Sequence, residues 1–303
     1  MRRPIAALLL GVACVARGDD RARNLRVEVG GASLAIRIQP GDLGVPDAAI
    51  QSWIVTSARA VTAFYGKFPV KEVRITVHPE SGDGVGGGLT RGGSPSTIDI
   101  DVGAGATMAT LKEDWVMTHE MTHLAFPNVP DAHHWLEEGL ATYIEPFARL
   151  RIGELTPEKV WGDLVEGLPR GLPEDGDKGL DHTPTWGRTY WGGALFCLLA
   201  DVKIREETGG RLGLEDALRG IQAAGGSLEE DWPLARALEA GDKATGTGVL
   251  AKLYDEMKAT PVKPDLHALW KKLGVVVGGG RVSFDDDAPL ASARRALSRT
   301  LKR

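Results

Sequence analysis

The sequence has few cysteines, no long basic run and no apolar stretch long enough to cross a bilayer. Only Cys14 and Cys197 occur in 303 residues, so we expect no disulfide framework. Lysine and arginine number 36 against 41 aspartates and glutamates, which leaves a net charge of -5. We therefore expect no nucleic-acid partner.

The first sixteen residues follow the order of a secretory signal. A short basic region precedes an apolar stretch at 5–13, and small residues end at Ala16, where signal peptidase would cleave. We predict that 1–16 is a signal peptide and that the protein is exported, either periplasmic or secreted; the alternative is a buried N-terminal helix. The segment around Cys14 loosely resembles a bacterial lipobox, which leaves membrane attachment through a lipidated Cys14 open.

Apolar periodicity predicts strands and one helix in the first part of the chain. Alternation predicts a hairpin over 25–38, β-branched residues predict a strand over 73–77, and helical spacing predicts a helix over 47–64. Residues 86–102 are interpreted as a glycine-rich loop that leads into an edge strand. That loop is either a plain surface loop or one that binds substrate.

A helix predicted to begin at Thr107 or Thr110 and to end near Phe126 carries the pattern H-E-x-x-H at 119–123. Residues four apart project from the same side of a helix, so His119 and His123 can offer two imidazole nitrogens to one ion. Glu120 then lies beside the ion, where it can hold a water. This donor pattern is typical of zinc hydrolases and requires a third protein ligand. The alternative is a pair of hydrogen-bonded histidines in the core.

Several residues downstream could supply the third ligand. A metzincin would continue with His-x-x-Gly-x-x-His, but Phe126 and Val129 stand at two of those positions. Two histidines occupy a polar turn and are interpreted as rim residues, whereas three glutamates lie on a helix predicted over 135–148. The candidates are His133, His134, Glu137, Glu138 and Glu145.

The segment 135–145, W-L-E-E-G-L-A-T-Y-I-E, resembles the second zinc helix of the gluzincin metallopeptidases. In those families the glutamate before the glycine binds zinc, so the resemblance implies that Glu138 is the third ligand. The spacing from His123 is shorter than in the aminopeptidase-N family and is similar to that of the compact peptidase MA-like group. The Gly-x-Met-Glu-Asn motif of aminopeptidase N is also missing.

A further segment, 189–210, is similar to a helix of the glycyl-aminopeptidase-like gluzincins. There a tyrosine at the position of Tyr190 points at the metal. The resemblance implies one zinc ion, Glu120 as general base and Tyr190 as the donor that stabilises the oxyanion; a packing role at the helix end is the alternative for Tyr190. His182 and Arg188 are candidate substrate contacts, and Glu145 is a candidate for a supporting role behind the ligands.

These observations predict an α+β, zincin-like catalytic domain, with a small sheet and an edge strand over the active-site helix, followed by a mainly helical subdomain. The predicted boundaries are a signal at 1–16, an α+β subdomain at 24–126, a helical subdomain at 127–260, and an extension with a hairpin and a basic helix at 261–303. We expect zinc-dependent hydrolysis of peptides or proteins. The alternatives are a non-catalytic zinc-containing peptide-binding protein and an amidase that acts on cell-wall peptides.

Overall fold

The computed structural model describes residues 21–301, so the predicted signal peptide 1–16 and Cys14 lie outside the described residues. The strands are β1 Arg23–Val29, β2 Ala32–Ile38, β3 Glu72–Glu80, β4 Val85–Arg91, β5 Ser96–Gly103, β6 Val275–Gly278 and β7 Arg281–Phe284. The α-helices are α1 Asp47–Tyr65, α2 Met108–Glu113, α3 Val116–His123, α4 His134–Arg151, α5 Pro157–Gly167, α6 Gly193–Glu207, α7 Leu214–Ala223, α8 Leu234–Thr245, α9 Val249–Met257, α10 Leu266–Leu273 and α11 Ala291–Leu297. Among these helices, none is long and apolar enough to cross a membrane.

Five strands form one mixed sheet in the order β1-β2-β3-β5-β4. The pairs β1–β2 and β5–β4 are antiparallel, while β2–β3 and β3–β5 are parallel. Alternate side chains of the three central strands are fully buried, which places one face of the sheet in the core because successive residues of a strand point to opposite faces. These buried side chains are Leu34, Ile36, Ile38, Val73, Ile75, Val77, Ile98, Ile100 and Val102.

The edge of this sheet differs from the prediction. The sequence predicts a loop through the glycines and an edge strand after it, but the glycine-rich segment is itself the edge strand β4, and β5 lies inside the sheet. Three consecutive glycines carry no β-branched side chains, so pairing with β5 and not local propensity sets their conformation. The register shifts between Val85 and Gly88, which marks a bulge in β4.

The helix that carries the H-E-x-x-H pattern is also shorter than predicted. The sequence predicts one helix over 107–126, whereas the structure has α2, a break, and then α3, which ends at His123. At the break the carboxylate of Asp114 accepts hydrogen bonds from the backbone N–H groups of Val116 (3.0 Å) and Met117 (3.1 Å). A side chain that satisfies these first N–H groups starts a new helix one turn before His119.

The second half is mainly helical, as predicted, and α4 and α6 cross in backbone contact. A Cβ atom on Gly139 would lie 2.3 Å from the Cα of Gly193, so only glycines allow this approach. The two helices are further joined where the Tyr143 hydroxyl donates to Asp201 at 3.1 Å. The crossing holds the middle of α4 against the start of α6.

Two smaller predictions are confirmed. Val275–Gly278 and Arg281–Phe284 form an antiparallel hairpin, and Cys197 is a buried thiol in α6. The α+β class with a sheet followed by helices is confirmed as well. The domain boundaries proposed at 126 and 260 stay predictions.

Candidate metal centre

Three donor atoms from α3 and α4 converge at one point. His119 and His123 lie one turn apart on α3, with ring centroids 4.9 Å apart. The Oε2 atom of Glu138 on α4 lies 3.1 Å from Nε2 of His119 and 3.8 Å from Nε2 of His123. His119 and Glu138 are buried, so the protein gathers two imidazoles and a carboxylate away from bulk water.

These distances fit a zinc ion. Ligand bonds of about 2.0–2.2 Å in tetrahedral geometry place two donor atoms roughly 3.4 Å apart, and the observed separations lie on either side of that value. Donor atoms of His119, Glu120 and His123 also lie within 4.8 Å of one another. Two imidazoles with one carboxylate are a donor set that zinc hydrolases use.

The protonation states of these groups suit a cation. Burial, with His119 close by, lowers the pKa of His123 to about 3, so its imidazole is neutral at neutral pH. Burial disfavours the ionised form of Glu138, but the hydrogen bond with His119 and the nearby His123 outweigh it and lower the pKa of Glu138. A neutral imidazole and an ionised carboxylate are the forms that bind metals.

Glu120 lies beside these donors and under the edge strand β4. The Thr90 hydroxyl lies 2.6 Å from Oε2 of Glu120 and 3.0 Å from its carbonyl oxygen, and its single proton is donated to one of them at a time. Gly88 passes so close that a Cβ there would lie 2.4 Å from Cγ of Glu120. Burial raises the pKa of Glu120 above its ordinary value despite the bond from Thr90. A carboxylate of this kind suits a general base.

Tyr190 reaches the same centre from a different part of the chain. It lies on a π-helical turn, Gly187–Gly192, that leads into α6, and its ring stacks on His119 with centroids 6.4 Å apart. Burial and the carboxylates of Glu138 and Glu120 raise the pKa of Tyr190, so the phenol keeps its proton. Short π-helical turns often occur at functional sites because they re-aim a side chain.

The two histidines of the predicted polar turn have separate partners. Nε2 of His134 lies 3.4 Å from Oε1 of Glu138, and its Nδ1 lies 3.3 Å from Glu137. His134 therefore contacts the other oxygen of a candidate ligand, a contact that orients such carboxylates. His133 pairs instead with Asp181 at 3.1 Å.

The remaining predicted residues lie around this centre. Glu145 is buried and accepts a hydrogen bond from Arg149 at 3.0 Å; burial raises the pKa of Glu145 to about 7. Arg188 is buried in an ion pair with Asp177 at 2.8 Å, and His182 is exposed on a 3-10 turn. Substrate contacts by Arg188 and His182 stay predictions, as does a supporting role for Glu145.

Four residues at this centre were missed by the sequence reasoning. Gly88 and Thr90 reach Glu120 only because β4 pairs with β5, and no local pattern indicates this. Trp115 and Trp186 each precede a site residue, His119 or Tyr190, by four positions, and each contacts it. For Trp115 that spacing falls on a predicted helix and was a signal that could have found it, whereas Trp186 precedes the segment 189–210 that resembles a helix.

The sheet, the H-E-x-x-H helix beneath its edge strand and the following helix with Glu138 define a zincin-like α+β fold. No protein-family model matches this sequence, and no curated protein matches it. Solved structures do match. An aminopeptidase N family protein from Idiomarina loihiensis has a TM-score of 0.58 at 12% identity, over 85% of this chain and 50% of that one.

A second similar structure is an M1 zinc metallopeptidase from Deinococcus radiodurans, with a TM-score of 0.53 at 17% identity, over 81% of this chain and 53% of that one. A mutant M1 zinc metallopeptidase from the same organism, described with a Tyr-Ser-Ala substrate, matches with a TM-score of 0.51 at 15% identity, over 81% and 54% of the two chains. This chain therefore spans about half the length of these structures. It shares its fold with part of these structures, which confirms the predicted α+β fold class.

Proposed function

We propose that the protein is a zinc-dependent metallopeptidase. The observation that carries the proposal is the convergence of His119, His123 and Glu138 within zinc-ligand distances beside the buried carboxylate of Glu120. A purely structural zinc site gains nothing from a carboxylate of raised pKa next to its ligands. The likeness in fold to M1 zinc metallopeptidases, one of them described with a tripeptide substrate, supports a peptide substrate.

The substrate would lie along the edge strand. β4 pairs with β5 on one side and forms the border of the sheet on the other, so an extended peptide can add to it as a further strand. At Gly88 the backbone of β4 itself lies against Glu120, so a strand added to this edge would run past the candidate metal centre. The scissile bond would then lie over α3 between Glu120 and Tyr190.

His119, His123 and Glu138 would hold the zinc ion, which when bound supplies a Lewis acid that activates water and polarises a carbonyl. Glu120 takes a proton from the attacking water and delivers it to the leaving amine. Thr90 holds the Glu120 carboxylate in place at 2.6 Å. The phenol of Tyr190, which keeps its proton, donates a hydrogen bond to the oxyanion of the tetrahedral intermediate.

The test compares the wild-type protein with Glu120→Gln. Both proteins are loaded with zinc, analysed for metal content and incubated with a peptide library whose products are identified by mass spectrometry. We expect equal, near-stoichiometric zinc in both proteins. Hydrolysis by the variant should be at least about a hundredfold slower than by the wild type because the base is lost. Zinc that binds to neither protein, or a variant of unchanged turnover, would overturn the proposal.

A further inference from the structure

Four aromatic rings form a row through the candidate metal centre. Trp115 meets His119 edge to face with centroids 5.4 Å apart, His119 stacks on Tyr190 at 6.4 Å, and Tyr190 meets Trp186 at 5.8 Å. The two inner rings belong to groups proposed to act on the scissile bond. The two outer rings are indoles with no part in the chemistry.

Both outer indoles are exposed. Trp115 is 53% exposed and Trp186 is 59% exposed, whereas five of the other six tryptophans are buried and Trp191 is half-buried. The two largely exposed indoles are thus the two that contact His119 or Tyr190. An exposed tryptophan beside a reactive centre presents a large rigid apolar surface to whatever binds there.

The backbone sets each indole in place. Trp115 immediately precedes α3, and its carbonyl accepts the backbone N–H of His119 at 3.0 Å, so the indole lies one turn before the first candidate ligand. Trp186 stands at the start of the π-helical turn, four residues before Tyr190. Each indole is therefore carried by the same rigid element as the group that it contacts.

We propose that Trp115 and Trp186 determine specificity by binding large apolar side chains of the substrate on the two sides of the scissile bond. This rests on the proposed peptidase function and narrows it to a substrate class: extended segments with Phe, Tyr, Trp or Leu near the cleaved bond. Each residue of an extended chain spans about 3.4 Å, so the outer rings lie within reach of side chains one to three residues from the scissile bond. Because an exposed indole stands at each end of the row, the substrate places one large apolar side chain on each side of the cleaved bond.

The first arm of the test maps cleavage sites. The zinc-loaded full chain and its Trp115→Ala and Trp186→Ala variants are incubated with a proteome-derived peptide library, and the products are sequenced. We expect wild-type sites enriched in large apolar residues on both sides of the cut, with each variant losing the preference on one side. For matched peptides, kcat/KM should fall roughly tenfold when the apolar residue is present and change less than about twofold when alanine replaces it.

The matched controls separate recognition from folding. Val277→Ala truncates an apolar residue of similar exposure (55%) on the β6–β7 hairpin and should alter neither rate nor preference. Trp115→Phe and Trp186→Phe keep an aromatic surface and should retain most of the preference, with zinc content and thermal unfolding unchanged. The inference would be overturned if the alanine variants lost kcat/KM equally on all peptides, or if the wild type showed no preference for large apolar residues.

A second arm uses Glu120→Gln to measure peptide binding without turnover. In one outcome the wild type does not hydrolyse peptides, yet Glu120→Gln binds apolar peptides, and its affinity for them falls when Trp115→Ala or Trp186→Ala is added. The proposed function then fails and the substrate class stands. If hydrolysis proceeds with no dependence on either indole, the proposed function stands and the inference fails. Indole-dependent cleavage confined to peptides that carry cell-wall sugars would also overturn it.

Discussion

At the scale of single residues, the carboxylate of Glu120 is confined by two residues of β4. Thr90 donates a hydrogen bond to it, and Gly88 leaves no room above its Cγ atom. Gly88 and Thr90 both face α3 because residues two apart on a strand lie on the same face. The position of the proposed base therefore depends on the absence of a Cβ atom at Gly88.

We predict that Gly88→Ala displaces Glu120. The new Cβ would lie 2.4 Å from Cγ of Glu120, so either the carboxylate or β4 must move. A misplacement near 1 Å lowers kcat by about a hundredfold, and zinc content should not change. Gly87→Ala is the matched control, since a Cβ there meets nothing within 4 Å. Steady-state kinetics that fall equally in both variants would contradict this account.

A second prediction concerns Glu145 and pH. Burial raises its pKa from 4.5 to about 7 in the folded protein, so the native state favours the protonated form. Below pH 4.5 the Glu145 carboxyl is protonated in both the folded and the unfolded chain, so its burial costs no extra free energy. As the pH rises towards 7, this carboxyl ionises first in the unfolded chain, and the free energy of unfolding of the wild type falls. The loss relative to Glu145→Gln should reach on the order of 3 kcal/mol and level off above pH 7.

Urea unfolding in a metal chelator between pH 4.5 and 8 measures this difference. Glu239→Gln replaces an exposed glutamate on α8 and should show a stability difference from the wild type that does not vary in this way. A difference between wild type and Glu145→Gln that is constant with pH would show that the burial of Glu145 does not raise its pKa.

At the scale of elements, the crossing of α4 and α6 brings the proposed ligand and the proposed oxyanion donor together. Gly139 follows Glu138 directly, and Gly193 comes three residues after Tyr190. Their backbones touch, so the distance between the two helices is set by the lack of side chains at both positions. A larger residue at either one would separate Tyr190 from the metal donors.

We predict that Gly139→Ala lowers both stability and zinc affinity. Its Cβ would lie 2.3 Å from the backbone of Gly193, and such overpacking costs about 1–3 kcal/mol. Gly162→Ala on α5 is the matched control: its nearest contact would be 4.0 Å, and alanine in a helix should stabilise the protein by about 0.4–1 kcal/mol. Thermal unfolding and competition with a zinc chelator measure the two effects, and a Gly139→Ala protein as stable as the control would contradict the argument.

At the scale of the whole molecule, the candidate metal centre joins two parts of the fold. His119 and His123 belong to the helix beneath the sheet, while Glu138 belongs to the first long helix of the helical half. The Arg149 guanidinium adds a second tie, because it bonds both Glu145 and the carbonyl of Lys112 on α2. A metal held across α3 and α4 should therefore stabilise the folded chain as a whole.

We predict that removal of zinc lowers the midpoint of thermal unfolding. A ligand that binds only the folded state at about a hundred times its Kd contributes about 2.7 kcal/mol, which for a chain of this size corresponds to roughly 4–5 °C. Calorimetry with and without a chelator measures the shift, and re-addition of zinc should restore it. His123→Ala should respond to neither treatment; a shift that persists in this variant would place the metal elsewhere.

Local spacing along the sequence determined part of this centre. The four-residue interval of H-E-x-x-H predicts two imidazoles on one side of a helix, and their rings lie 4.9 Å apart in α3. Alternation of apolar and polar residues predicted the β1–β2 hairpin, since this pattern also reflects contacts within a few residues. These inferences needed no knowledge of distant parts of the chain.

The tertiary structure decided the rest. The residues of the sequence left five candidates for the third ligand, and the resemblance alone pointed to one; only the packing of α3 against α4 brings Glu138 within 3.1 Å of His119. Only strand pairing puts Gly88 and Thr90 over Glu120, and only the crossing of α4 and α6 brings Tyr190 to His119. Contacts between residues far apart in sequence depend on how whole elements pack, and local periodicity carries no record of that packing.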